Sequence, residues 1–99
     1  MMAPAMSDAV FHRIAKALAD PKRFRILQRV VSSPEAVHCQ RLLAEFDIAP
    51  ATMSHHLKEL TTAGLIESHK DGQCLLVEAD RQAIARYERE LAHRLTSRA

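Results

Sequence analysis

The hydrophobic period of this chain switches to alternation in one segment and then back, and that switch limits what it can fold into. Up to Gly64 the apolar residues recur at three- and four-residue spacing, across residues 65–78 they alternate, and beyond Asp80 the longer spacing returns. Alternation is the mark of a half-buried strand, and spacing of three or four is the mark of one face of a helix. Residues 65–69 and 73–78 therefore read as two short strands. Asp71-Gly72 between them is a hairpin signal, with both central turn positions expected at positive φ. A lone two-stranded hairpin is marginal in water, so the helices on either side must cover it. The expected class is mainly α (α+β).

The helices are punctuated clearly. The first runs over residues 7–19, capped by Ser7 or Asp8, with Val10, Phe11, Ile14, Ala17 and Leu18 on one face. Asp20-Pro21 ends it and opens the second, since Asp caps free amides and Pro suits a position that needs no amide partner. That helix extends to about residue 31, with Phe24, Ile26, Leu27 and Val30 mostly inward. Ser32-Ser33-Pro34 is a break, and residues 35–37 read as extended. A short third helix ends at Phe46 on an apolar stripe of Leu42, Leu43 and Phe46. Asp47-Ile48-Ala49 is a tight connection. A fourth helix starts at Pro50 and ends at Ala63-Gly64, where glycine suits a left-handed C-terminal residue. Residues 80–96 form the last helix, on Ile84, Tyr87, Leu91 and Leu95.

At 99 residues, with 47% hydrophobic and 26% charged side chains, the chain is one globular domain with a small core. We place that domain at residues 7–97 and a flexible N-terminal tail at residues 1–6. No apolar run reaches the roughly 18 residues that a membrane span needs, and the start lacks the pattern of a secretory signal. The expected location is the cytoplasm, with Cys39 and Cys74 reduced. A net charge of +2 allows nucleic acid as a partner without requiring it.

A short helix, a tight turn, a second helix and then a hairpin is the winged helix-turn-helix: five helices, with a two-stranded wing between the fourth and fifth. In the fourth helix Met53, Leu57 and Leu60 face the core. Thr52, Ser54, His55 and Lys58 are left on the other face, where hydroxyl, imidazole and ammonium groups suit base edges and phosphates. His69 and Lys70 stand at the wing tip beside them. The bland alternative is a merely solvated helix face.

Three motifs in this order resemble the ArsR/SmtB family of bacterial repressors. They are Leu18-Ala19-Asp20-Pro21-Lys22-Arg23-Phe24-Arg25-Ile26-Leu27, then Ala51-Thr52-Met53-Ser54-His55-His56-Leu57-Lys58-Glu59-Leu60 with Ala63-Gly64-Leu65-Ile66, then the wing turn Lys70-Asp71-Gly72-Gln73. The resemblance covers roughly residues 10–95. It implies a homodimer that binds a near-palindromic double-stranded DNA operator and releases it on a signal. By the motif Ala51, Thr52, Ser54, His55 and Lys58 contact DNA, and His56 is structural, bonded to backbone. The resemblance also implies a dimer interface on the first and last helices. Val10, Phe11, Ile14, Tyr87, Leu91 and Leu95 supply more apolar surface there than one small domain needs.

The sensing sites that the resemblance implies are incomplete. A family thiolate pair, Cys-x-Cys, falls here on His38 and Gln40 with Cys39 between them, so the soft-ion pair is missing. A second site spanning the last helices falls on Asp80, Gln82, His93 and Thr96, leaving Asp80 and His93 as weak metal candidates. No metal or cofactor is expected, and the inducer is unassigned. Cys39 and Cys74 are candidates for redox sensing, through a disulfide or a low-pKa thiol at the start of the third helix. Catalysis is not expected, since the chain has no nucleophile elbow, phosphate-binding glycine loop or HExxH motif. Two alternatives remain: a winged-helix module for protein contacts, and a constitutive DNA-binding dimer without an inducer.

Overall fold

A computed structural model describes residues 6–96. The helices are α1 (Asp8–Leu18), α2 (Pro21–Ser32), α3 (Cys39–Phe46), α4 (Pro50–Thr62) and α5 (Arg81–Thr96), and the strands are β1 (Val37–His38), β2 (Ile66–Asp71) and β3 (Cys74–Ala79). Capping follows from the residues named above. Ser7 Oγ accepts from the Val10 amide at 3.2 Å, and Asp20 Oδ1 accepts from the Arg23 amide at 3.0 Å with Pro21 in the first turn. The Asp47 backbone is left-handed (φ 49°) and its amide reaches the Leu43 carbonyl, which closes α3 and makes the tight turn to α4. Gly64 ends α4 at φ 79°. Its amide bonds the Thr61 carbonyl and the Leu65 amide bonds the Leu60 carbonyl, the paired pattern that satisfies the last carbonyls of a helix.

Two details of the wing depart from expectation. The sheet has three antiparallel strands in the order β1-β3-β2, because the extended segment before α3 pairs Val37 with Val77 and His38 with Leu76. This third strand covers the free edge of β3 and places Val37, 4% exposed, in the core. The turn is also shifted by one residue. Asp71 pairs with Cys74, so the central positions are Gly72 and Gln73, and only Gly72 has positive φ (65°). Asp71 stays in the strand because a two-residue loop with glycine first needs just one left-handed position.

The core lies between α1, α2, α3, α4 and the inner face of the sheet. Ile26, Leu42, Met53, Leu60 and Val77 have no exposed surface. Burial of each such side chain contributes about 1.5–3 kcal/mol. Phe24, read from the sequence as inward, is 42% exposed and rims a shallow apolar hollow with Leu18, Ile84 and Tyr87. The hollow exists because α5 packs loosely, with none of its side chains buried. Ile84 and Tyr87 are half-buried against the core, and polar contacts hold α5 at both ends. Asp80 Oδ1 accepts from the Ala83 amide, and Arg81 donates to the Val31 and Ser33 carbonyls at 2.8 and 3.0 Å. Near its other end Arg94 donates to Asp8 and to the Met6 carbonyl, and lies 4.2 Å from the Phe11 ring centroid. No described helix is long and apolar enough to cross a membrane.

Candidate nucleic-acid interface

The two faces of α4 differ completely. Met53, His56, Leu57 and Leu60 are buried, while Ala51, Thr52, Ser54, His55 and Lys58 are exposed. The alternation follows from helical spacing: once Met53, Leu57 and Leu60 fill the core, the polar residues must point away. No side chain caps α4 and no acidic residue stands in its first turn. Its open amides and positive dipole end therefore suit a phosphate.

A groove of about 270 Å³ runs between this face and the wing, lined by Cys39, Ser54, Lys58, Thr61, Ser68 and Leu75 among others. Strand alternation places Lys70 on the same face as Ser68, above the groove. His69 points to the opposite face, where its Nε2 lies 3.7 Å from Glu78 Oε1. The wing thus presents Lys70 beside α4 and turns His69 away, although the two are neighbours in sequence. Thr61 in this groove was not singled out from the sequence, although its place three residues beyond Lys58 on the same helix is the signal that finds it. Cys39 and Leu75 have no such local signal, because only the β1–β3 pairing brings the start of α3 to the wing.

His56 is the buried polar side chain among the described residues, 6% exposed. Its partner is a side chain and not the backbone expected: Arg23 Nε donates to His56 Nδ1 at 3.3 Å. Burial holds this imidazole below its ordinary value, opposed by Asp20 and reinforced by Arg23, His55 and Lys22.

The candidate sensing residues are placed differently from expectation. Both cysteines are free, Cys39 half-buried and Cys74 exposed. Cys39 opens to the groove with Leu75, whereas Cys74, next to Leu75 in β3, points to the other side of the wing. They are not poised to form a disulfide. Burial pushes the Cys39 thiol up, so the low-pKa reading of the helix start gives way to desolvation. Asp80 is engaged as the cap of α5, with His93 far along the same helix near its other end. Among the described residues of this one chain no three His, Cys, Asp or Glu side chains gather to hold a metal ion.

The six candidate dimer residues divide into two groups. Ile14 is 2% exposed and Phe11 8%, the latter with its ring centroid 5.2 Å from that of half-buried Tyr87. These residues stabilise the single chain and have little surface to offer a partner. Val10, Leu91 and Leu95 are 41%, 37% and 77% exposed and are open to one.

A family model described as a helix-turn-helix domain matches residues 18–69, which run from the end of α1 into β2. The cadmium resistance transcriptional regulatory protein CadC of Listeria innocua is 38% identical over 58 residues, 59% of this chain and 48% of that protein. The chain spans about half the length of the curated relative it matches there. A crystal structure of an ArsR family transcriptional regulator is 27% identical with a TM-score of 0.80, covering 97% of this chain and 100% of the other. The homodimeric winged helix-turn-helix DNA-binding domain of a possible ArsR-family regulator from Mycobacterium bovis shares the fold at 20% identity, with a TM-score of 0.71 over 92% and 88% of the two chains. By these matches the chain belongs to the helix-turn-helix family, in its ArsR/SmtB-type winged form.

Proposed function

We propose that this protein is a cytoplasmic, sequence-specific transcriptional regulator that binds double-stranded DNA as a homodimer and represses until a signal releases it. The observation that carries the reading is the polar face of α4, exposed along Thr52, Ser54, His55 and Lys58 over a fully buried apolar face. A helix of this kind enters a major groove, where hydroxyl and imidazole groups reach base edges and ammonium groups reach phosphates. Lys70 on the wing then meets the adjacent backbone. Val10, Leu91 and Leu95 are the surface through which two copies pair. In a two-fold dimer the α4 helices meet successive major grooves about 34 Å apart, which calls for a near-palindromic site. The protein acts by binding and not by turnover. Homodimerisation of the Mycobacterium bovis domain supports the assembly, and the naming of CadC as a transcriptional regulatory protein supports the role.

The test is fluorescence anisotropy with duplex DNA from upstream of its own gene, using reduced, metal-free protein at two salt concentrations. Tight binding that weakens with salt is expected, because neutralised phosphates release counterions. Absence of salt-sensitive binding both there and in a random-sequence duplex pool overturns the reading.

A further inference from the structure

Met53, Leu57 and Leu60 hold α4 on the core by apolar burial, which has no preferred direction of its own. One part-buried polar contact adds a direction. The Arg23 Nε–H···Nδ1 bond to His56 joins α2 to α4. Arg23 is itself anchored twice, since its amide donates to Asp20 Oδ1 at 3.0 Å and its Nη1 donates to the Ala17 carbonyl at 3.4 Å. A continuous line therefore runs from the last turn of α1, through the α1–α2 turn, to α4. On α4 the next residue is His55, exposed on the face proposed for DNA, its ring centroid 6.1 Å from that of His56.

We propose that Arg23 and His56 are positioning residues that set the pose of α4, and that uptake of one proton by His56 releases it. The functional readout of this latch rests on the DNA-binding reading above. Nδ1 accepts the Arg23 bond only while it is unprotonated, with the ring hydrogen on Nε2. A proton from water on Nδ1 turns the acceptor into a second donor facing Nε–H, and sets a second positive charge beside the guanidinium. The groups that face His56 are Asp20 at the α1–α2 turn, Lys22 and Arg23 on α2, and His55 on α4. Asp20 alone favours the charged ring, and its carboxylate is already engaged by the Arg23 amide. Burial and three cationic or basic neighbours oppose it. Mild acid thus frees α4 to shift while the rest of the core stays apolar and indifferent to pH.

The experiment compares the wild type with His56→Asn, whose side-chain oxygen replaces Nδ1 as acceptor and does not titrate. Duplex affinity is measured by anisotropy at pH 7.5 and 5.5, with ring-nitrogen and amide NMR of the DNA-free proteins. His55 and His69 are the same in both proteins, so the ratio of affinities isolates His56. The wild type is expected to lose about tenfold more affinity than His56→Asn on acidification, as for one hydrogen bond to a charged group. In the free wild type Nδ1 is expected to be unprotonated at pH 7.5, with the amides of residues 52–60 shifting as His56 titrates. A protonated Nδ1 at pH 7.5, amides that ignore the titration, or equal pH responses of the two proteins on DNA each overturn the latch. If the wild type binds no duplex at either pH, the DNA-binding reading fails, and the NMR measurements still decide the latch.

Discussion

Helices α4 and α5 look alike in sequence, each with an apolar stripe at helical spacing, yet the fold treats them in opposite ways. The stripe of α4 is consumed by its own chain: Met53 and Leu60 have no exposed surface and Leu57 has 4%. The stripe of α5 is unfinished, with Ile84 and Tyr87 half-buried, Leu91 37% exposed and Leu95 77% exposed. A helix whose apolar face is satisfied offers only its polar face, and that suits a charged, hydrated partner such as DNA. A helix whose apolar face stays open calls for a partner of the same chemistry. Polar pins at Arg81 and Arg94 hold α5 without burying it, which leaves the open stripe available to a second copy.

The largest effect should come from breaking the satisfied face. Leu60→Ala removes a fully buried side chain and is expected to cost about 2–5 kcal/mol of folding stability, read from urea midpoints. A loss below about 0.5 kcal/mol would mean that α4 is not seated as described. The unfinished face should behave otherwise. Replacing Leu91 and Leu95 together by Glu is expected to leave monomer stability within about 0.5 kcal/mol while moving sedimentation from dimer to monomer. The expected loss of pairing free energy is roughly 2–4 kcal/mol, from two leucines no longer buried. An unchanged sedimentation profile would place the dimer contact elsewhere.

The same contrast explains what could be read from the sequence. The α4 face was legible because Met53, Leu57 and Leu60 lie within eight residues and the turn residues on either side, Asp47 and Gly64, take the left-handed backbone that ends helices. The order of helices and wing followed from equally local signals. Contacts distant in sequence were not legible. β1 is two residues long and exists only by pairing with β3. His56 pointed to a structural role, yet its partner Arg23 stands 33 residues away and nothing in the spacing selects it. Ile14 and Phe11 shared a stripe with Val10, and periodicity alone does not tell core from interface. Likewise His69 and Lys70 are adjacent in sequence, and only the strand register sends them to opposite faces of the wing.

A smaller effect sharpens the polar side of the comparison. Lys58 is exposed on α4, bordering the groove toward the wing. Lys58→Ala is expected to leave the urea midpoint unchanged, lower duplex affinity by about tenfold or less across all sequences, and reduce the slope of log affinity against log salt by about one. Loss confined to one base position would instead make Lys58 a base reader. An unchanged slope would put the phosphate contacts away from this face.

The smallest effect concerns stability against pH, and it tests whether the inner face of α4 is sealed as tightly at His56 as at its leucines. Burial and the neighbouring Arg23 hold the His56 imidazole below its ordinary 6.5, and Asp20 only partly offsets them. Below pH 6.5 the unfolded chain takes up a proton that the folded chain resists, so unfolding gains proton affinity as the pH falls. The contribution of His56 is therefore fully present above pH 6.5, declines as pH falls through its lowered folded value, and is flat below that. Urea midpoints of the wild type should fall more steeply than those of His56→Asn across this window, with the other histidines common to both. Parallel curves would mean that water reaches the ring as freely as it reaches the open stripe of α5, and the contrast between the two helices would then stop at the apolar residues of α4.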